Sequence, residues 1–147
     1  MIANSTIDIL KNETIRYNSP ILVNSHKLNE VYHYTREFIT EIDYKLITIR
    51  LNIPLTGIDL KKCYARILLY LDDKMLCDGS IWSHVEWELK PIFLEGSGVN
   101  IKKGIHKIKL MCSVTGGNLN IPYFDITSEL YTIKPELSSQ LTIIAQN

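Results

Sequence analysis

The run that comes nearest to chemistry is His84-Val85-Glu86-Trp87-Glu88, in which a period of two sets His84, Glu86 and Glu88 on one face of an extended segment. An imidazole beside two carboxylates could ligate a metal or pass a proton, and the same pattern is what a solvated strand face next to Trp82 looks like. Asp72, Asp73 and Asp78 lie close enough in sequence to offer oxygens to a calcium ion. Their spacing matches no EF-hand loop, however, and hairpin turns favour Asp for conformational reasons. The four histidines, His26, His33, His84 and His106, stand singly, without the His-x-His and following carboxylate of a cupin-type metal site. Cys63, Cys77 and Cys112 are an odd set with no Cys-x-x-Cys spacing, which predicts free, packed thiols and neither a disulfide framework nor a zinc knuckle. A nucleophile needs a base, and the sequence holds no Gly-x-Ser-x-Gly elbow, no Cys in a family-like catalytic context and no Gly-rich strand-to-helix phosphate loop. The expectation is a protein that is not an enzyme, with no catalytic residue, no metal site and no cofactor.

Recognition is the better prospect. Trp82 and Trp87 are an odd number of residues apart, so a regular strand puts them on opposite faces. Trp87 shares its parity with Ile81, Val85 and Leu89 and reads as core. Trp82 falls with His84, Glu86, Glu88 and Lys90, a large aromatic on a polar face that could anchor an interface or a ligand. Tyr32, Tyr34 and Phe38 share one face of the segment Val31 to Thr40, a second candidate stripe for which ordinary core packing is the competing reading.

The elements that would position these groups are strands. Thirty-seven β-branched residues stand against three Ala, a balance that disfavours a helical bundle. Ile7 to Ile9 alternates, and Pro20 opens a short apolar run, Ile21-Leu22-Val23. From Lys45 to Ile53, Ile47, Ile49, Leu51 and Ile53 fall on one side, with Pro54 and Gly57 ending the strand. Asp59 to Leu71 also fits a helical stripe, but its end runs through Asp72-Asp73-Lys74 into a second apolar run, which predicts a hairpin and leaves room for one short helix. Ile81 to Lys90 reads as one strand, and Gly96, Gly98 and Gly104 bracket a loop. Ile108, Leu110, Cys112 and Val114 alternate up to Gly116-Gly117-Asn118, which predicts a hairpin into Leu119, Ile121 and Tyr123. Leu130 to Ile133 and Leu141 to Ala145 close the pattern, the last as a terminal strand tied into a sheet. The fold class is all-β, a two-sheet antiparallel β-sandwich of the jelly-roll kind, forming a single domain over residues 1–147.

Sixteen basic side chains balance sixteen acidic ones, which disfavours nucleic acid and anionic bilayers as partners. No uncharged run approaches the roughly 20 residues that span a membrane, and the first residues have no basic and apolar leader pattern, so the expectation is no membrane insertion and synthesis without a secretory signal.

Four segments carry a likeness: Ala65-Arg66-Ile67-Leu68-Leu69-Tyr70-Leu71-Asp72-Asp73-Lys74, Lys103-Gly104-Ile105-His106-Lys107-Ile108-Lys109-Leu110, Gly116-Gly117-Asn118-Leu119-Asn120-Ile121 and Ser138-Ser139-Gln140-Leu141-Thr142-Ile143-Ile144. Together they resemble the jelly-roll head domains of phage and viral fibres and of collagen-like proteins, akin to the TNF and C1q architecture, over about 80 residues from Ala65 to Ile144. The resemblance implies a homotrimer about an apolar and aromatic axis, acting as a fibre, head or decoration protein of a virion assembled in the host cytoplasm. Its partners would be other virion proteins and a host-surface glycan or protein receptor. Leu141 and Ile143, in a closing strand apolar on both parities with Ile144, are candidate interface residues, beside Tyr32, Tyr34, Phe38, Trp82 and His84 as interface or ligand candidates. No collagen-like or coiled-coil stalk precedes the head, which leaves residues 1–25 as the expected anchoring or partner-docking segment. The rival expectation is a monomeric carbohydrate-binding β-sandwich module, cytoplasmic, with Trp82 and Tyr32-His33-Tyr34 as its stacking platform.

Overall fold

The computed structural model describes residues 6–15, 21–58, 63–83, 89–116, 118–121 and 139–147. Within them the chain forms twelve strands and a single 3-10 turn. The organising element is β5 (Tyr44–Ile58), whose alternation turns Ile47, Ile49, Leu51 and Ile53 fully inward while Thr48, Arg50 and Asn52 face out. Pro54 and Gly57 do not end it: Pro54 falls between the stretches of β5 paired on its other edge, where a missing N–H breaks no ladder bond.

Along one edge, β5 pairs with β9 (Leu89–Ile101) from Tyr44 to Thr56. Its other edge carries, end to end, β12 (Ser139–Gln146) and β11 (Asn118–Ile121). Flanking these are β1 (Ile7–Ile15) against β12 and β2 (Ile21–Val23) against β11. The second sheet is built on β10 (Gly104–Thr115), which pairs with β6 (Cys63–Leu71) on one side. On its other side lie β3 (Asn29–Glu30) and β4 (Arg36–Thr40), collinear about the 3-10 turn Tyr32–Tyr34. Beyond β6 come β7 (Lys74–Asp78) and β8 (Ile81–Ser83).

Collinear strands merge into eight columns. In chain order, the first sheet reads one, eight, three, six and the second reads two, seven, four, five. That interleaving is the strand order of a jelly roll, two Greek keys rolled together. Between the sheets lies one core: the inward row of β5 with Leu94, Leu141, Ile143 and Ala145 meets Phe38, Ala65, Ile67, Leu69, Leu71, Ile108, Leu110, Cys112 and Val114. Each large aliphatic side chain so buried contributes about 1.5–3 kcal/mol.

The expected hairpin after Leu71 is present. Asp72 (φ 49°) and Asp73 (φ 64°) both adopt the left-handed conformation that a two-residue type I′ turn requires, with Leu71 opposite Lys74. The Asp72 carboxylate accepts from the backbone N–H of Lys107 (2.8 Å) and meets His106 Nδ1 (2.6 Å), while His106 Nε2 reaches the Lys102 carbonyl (2.6 Å). From Cys63 onward the ambiguous segment is therefore strand, not helix; residues 59–62 lie outside the described residues.

Two expectations about connections are overturned. Ile81 to Lys90 is not one strand, because β8 pairs β6 in the second sheet whereas β9 pairs β5 in the first; His84, Val85, Glu86, Trp87 and Glu88 lie outside the described residues. Gly116-Gly117-Asn118 makes no hairpin: β10 and β11 belong to different sheets, and the chain crosses between layers there. The segment around Leu130 to Ile133, and Tyr123, lie outside the described residues.

Gly96 and Gly98 are strand residues of β9, opposite Ile49 and Ile47, and not part of a loop. Here β9 leans on β7 of the other sheet: a Cβ on Gly96 would come within 2.6 Å of Leu76 Cβ and 2.9 Å of its carbonyl oxygen. The opposite margin is tied by Arg36, whose Nε lies 3.0 Å from both carboxylate oxygens of Glu13, joining β4 to β1. Gly96→Ala is therefore expected to lower unfolding free energy in denaturant titration by about 1–3 kcal/mol, because backbone as well as side chain must give way.

Candidate functional site

Among the described residues, those singled out in the sequence do not converge. Tyr32 is 77% exposed and Tyr34 only 1%, because the chain coils into a 3-10 turn there and does not extend; Tyr34 N–H donates to the Val31 carbonyl (3.0 Å). Strand parity, which would place Tyr32, Tyr34 and Phe38 on one face, fails at that turn. Tyr34 instead runs inward, where its hydroxyl pairs with Ser139 Oγ at 2.6 Å, both groups buried, linking the second column to the eighth. Phe38 is also core, packed 5.5 Å from the His106 ring centre. Leu141 and Ile143 are a correction of the same kind: β12 is an interior strand, paired to β1 and β5, and these two side chains fill the sandwich core instead of facing a partner. Trp82 stands in β8 opposite Tyr64 of β6; His84 lies outside the described residues.

The aspartates are committed elsewhere. Asp72 holds His106 and Lys107, Asp73 accepts from Lys109 Nζ (3.0 Å), and Asp78 accepts from the Ser80 backbone and hydroxyl. The Ser80 contacts hold the Asp78 carboxyl below its usual range, and Asp73 raises the Lys109 ammonium. Among the described residues, no three His, Cys, Asp or Glu side chains group as a metal site. Burial pushes the Cys112 thiol up to about 12.

What the fold does assemble is the outer face of the first sheet. Residues directly opposed across its strands share that face in four rows. From one end these are Thr14, Gln140, Asn52 and Phe93; then Asn12, Thr142, Arg50 and Glu95; then Ile9, Ile144, Thr48 and Ser97; and last Ile7, Gln146, Leu46 and Val99. The face divides across its middle. In the first two rows, Phe93 is 72% exposed over a hollow of about 340 Å³ that Arg50, Asn52, Glu95, Gln140 and Thr142 also line.

Those polar groups are held in place. Gln140 Oε1 accepts from Thr14 (2.7 Å), its Nε2 donates to Asn12 Oδ1 (2.6 Å), and its backbone N–H donates to Asn52 Oδ1 (3.1 Å). Arg50 Nε donates to Glu95 Oε1 at 2.9 Å; with both side chains 58% exposed, this pair contributes at most about 1 kcal/mol to stability. In the last two rows no position is charged, and Ile7, Ile9 and Val99 are 64%, 68% and 64% exposed. A second, smaller hollow of about 190 Å³ lies beside Tyr32, lined by Ile21, Val23, Glu30 and Cys112 among others.

Phe93 escaped the sequence reading, although a signal was there: it shares its parity with Glu95 and Ser97, against Ile92 and Leu94. A large aromatic on the polar parity is the argument that singled out Trp82, and it applied equally here.

Two outcomes follow. Tyr34→Phe leaves Ser139 Oγ buried without its partner and should lower stability by about 1–3 kcal/mol in equilibrium unfolding. In the native protein, iodoacetamide should modify the half-buried Cys77 and spare Cys112, read by mass spectrometry of peptides, until denaturant exposes both.

No family model matches the chain, and no curated protein sequence matches it. Among solved structures, the C-terminal domain of EclA, a sugar-binding protein, superposes with a TM-score of 0.43 at 10% identity, over 100% of this chain and 81% of its own. Dimeric latent PorU from Porphyromonas gingivalis gives 0.49 at 10% identity, over 97% of this chain and 13% of its own. The VP2 subviral particle of infectious bursal disease virus gives 0.44 at 10% identity, over 96% and 37%. Likenesses this loose carry no argument about what this chain does.

Proposed function

We propose that this protein is a non-enzymatic structural and binding component of a virion, a fibre, head or decoration protein of a phage-like particle, that assembles as a homotrimer through the outer face of its first sheet. The observation that carries the reading is the uncharged half of that face. Ile7, Ile9, Leu46, Val99 and Ile144 spread over all four strand columns with only Thr48, Ser97 and Gln146 between them. Depletion of charge around an apolar centre marks a protein–protein contact more reliably than hydrophobicity alone. A second copy is the occupant this patch fits: equal numbers of acidic and basic residues leave no net repulsion between copies, and the branched aliphatics lose little rotamer freedom when covered.

Threefold assembly, a place on a virion and receptor contact come from the resemblance in the segments between Ala65 and Ile144. A jelly roll with a greasy outer face is compatible with all three. Among the described residues, no helix is long and apolar enough to cross a membrane. The rival platform of Trp82, Tyr32 and Tyr34 loses Tyr34 to the core, and Tyr32 and β8 stand at opposite margins of the second sheet.

Size-exclusion chromatography with light scattering is expected to give a trimer at micromolar concentration. Ile9→Asp and Val99→Asp, at exposed positions that leave the core untouched, should each yield a folded species of lower mass. A monomeric native protein would overturn the assembly, and a trimer indifferent to both substitutions would remove this face from it.

A further inference from the structure

We infer that the other half of the same face, the hollow beneath Phe93, is a binding site for a neutral sugar. Its parts come from three strands of one chain: Phe93 and Glu95 from β9, Arg50 and Asn52 from β5, Gln140 and Thr142 from β12. They spread over about 7 Å along the strands and about 10 Å across them, room for one or two hexose rings.

The chemistry selects the ligand class. An aromatic ring that is 72% exposed, surrounded on its own face by amides, a hydroxyl and a charge pair, offers an apolar platform with hydrogen-bonding groups beside it. A pyranose presents that complement: a C–H face to stack on the ring and equatorial hydroxyls to meet the polar groups. Arg50 and Glu95 neutralise each other at 2.9 Å, so the site has no net charge with which to favour an anion or a cation. Among the described residues, the terminal nitrogens of Arg50 and the second oxygen of Glu95 have no protein partner, which gives the site donors and an acceptor side by side.

Preorganisation supports the same reading. Gln140 is fixed by Thr14, Asn12 and Asn52, and Thr142 Oγ1 approaches Asn12 Oδ1 at 3.4 Å, so the polar floor is set before a ligand arrives. The site is complete within one chain and does not depend on the proposed assembly.

Titration of isotope-labelled protein with lactose, maltose and cellobiose at millimolar concentration, followed by amide NMR, tests the inference. Saturable shifts confined to residues around Arg50, Asn52, Phe93 and Thr142 are expected with at least one of these sugars. Phe93→Ala should weaken that binding at least about tenfold with an unchanged circular dichroism spectrum, while Phe93→Trp retains it. Ile9→Asp, outside the hollow, should bind as the native chain does, which separates failure of the sugar site from failure of the assembly. Absence of saturable shifts with all three sugars, shifts that survive Phe93→Ala, or tighter binding of sialyllactose or glucosamine than of the neutral sugars would overturn the assignment.

Discussion

The two-sided pairing of β5 fixes both faces of the first sheet at once. Its register against β9 on one edge and β12 on the other leaves no freedom to slide: a slip of one residue would turn Thr48, Arg50 and Asn52 into the core and Ile47, Ile49 and Leu51 into water. Burying one arginine without a partner already costs more than the whole domain can spare. The inward row thus sets the outward one, and the positions of Arg50 and Asn52 in the hollow are a by-product of core packing. A surface site mounted on such a strand inherits its rigidity.

The interleaved order has a second consequence. Neighbours in each sheet are remote in sequence, Ile7 opposite Gln146 being the extreme case, so the chain must cross between layers repeatedly and its pairing is almost wholly non-local. Such a topology folds slowly, and partly folded forms expose strand edges for longer. The two margins where the layers meet are closed by different means. On one side Gly96 lets β9 settle against Leu76; on the other, Arg36 bridges to Glu13. Leu76 also packs against the main core, whereas the Arg36–Glu13 contact is an ion pair, so the two margins constrain the stacking of the sheets in different ways.

Much of this was legible in the sequence. The alternation from Lys45 to Ile53, the strand ending at Leu71 and the Asp72-Asp73 turn follow from periodicity and turn chemistry, which are local properties. Partner identity is not local. Gly116-Gly117-Asn118 suits a tight hairpin, whose primed turns need positive φ, but glycine's freedom serves a crossing between sheets as well, and Gly116 uses it with φ 85°. Ile81 to Lys90 keeps one parity through a stretch whose two ends join different sheets. The stripe from Tyr32 to Phe38 assumed an unbroken strand, and one 3-10 turn was enough to separate an exposed tyrosine from a buried one. Leu141 and Ile143 were apolar for the commonest reason, the core, and the sequence alone holds nothing that separates core from subunit interface in a strand apolar on both parities.

An exposed apolar face next to a sheet edge is ordinarily a hazard, because an open edge invites pairing with another chain. β1 is such an edge strand and carries Ile7 and Ile9. It is also blunted. A bulge between Ile9 and Lys11 interrupts its register, and Asp8 and Glu13 point to the other side of the strand, where Asp8 accepts from the Tyr44 hydroxyl (2.8 Å) and Glu13 holds Arg36. The Asp8 bond also raises the Tyr44 phenol above its usual range. A second copy adding a strand at β1 would have to pair with a kinked backbone flanked by charges already in use. A copy approaching the half of the face that holds Ile7 and Ile9 meets no charged side chain, only aliphatic groups with Thr48, Ser97 and Gln146 among them, held at fixed spacing by four paired columns. The same strand thus discourages growth along the sheet and permits contact across it, which is the arrangement a closed assembly needs and an open fibril does not.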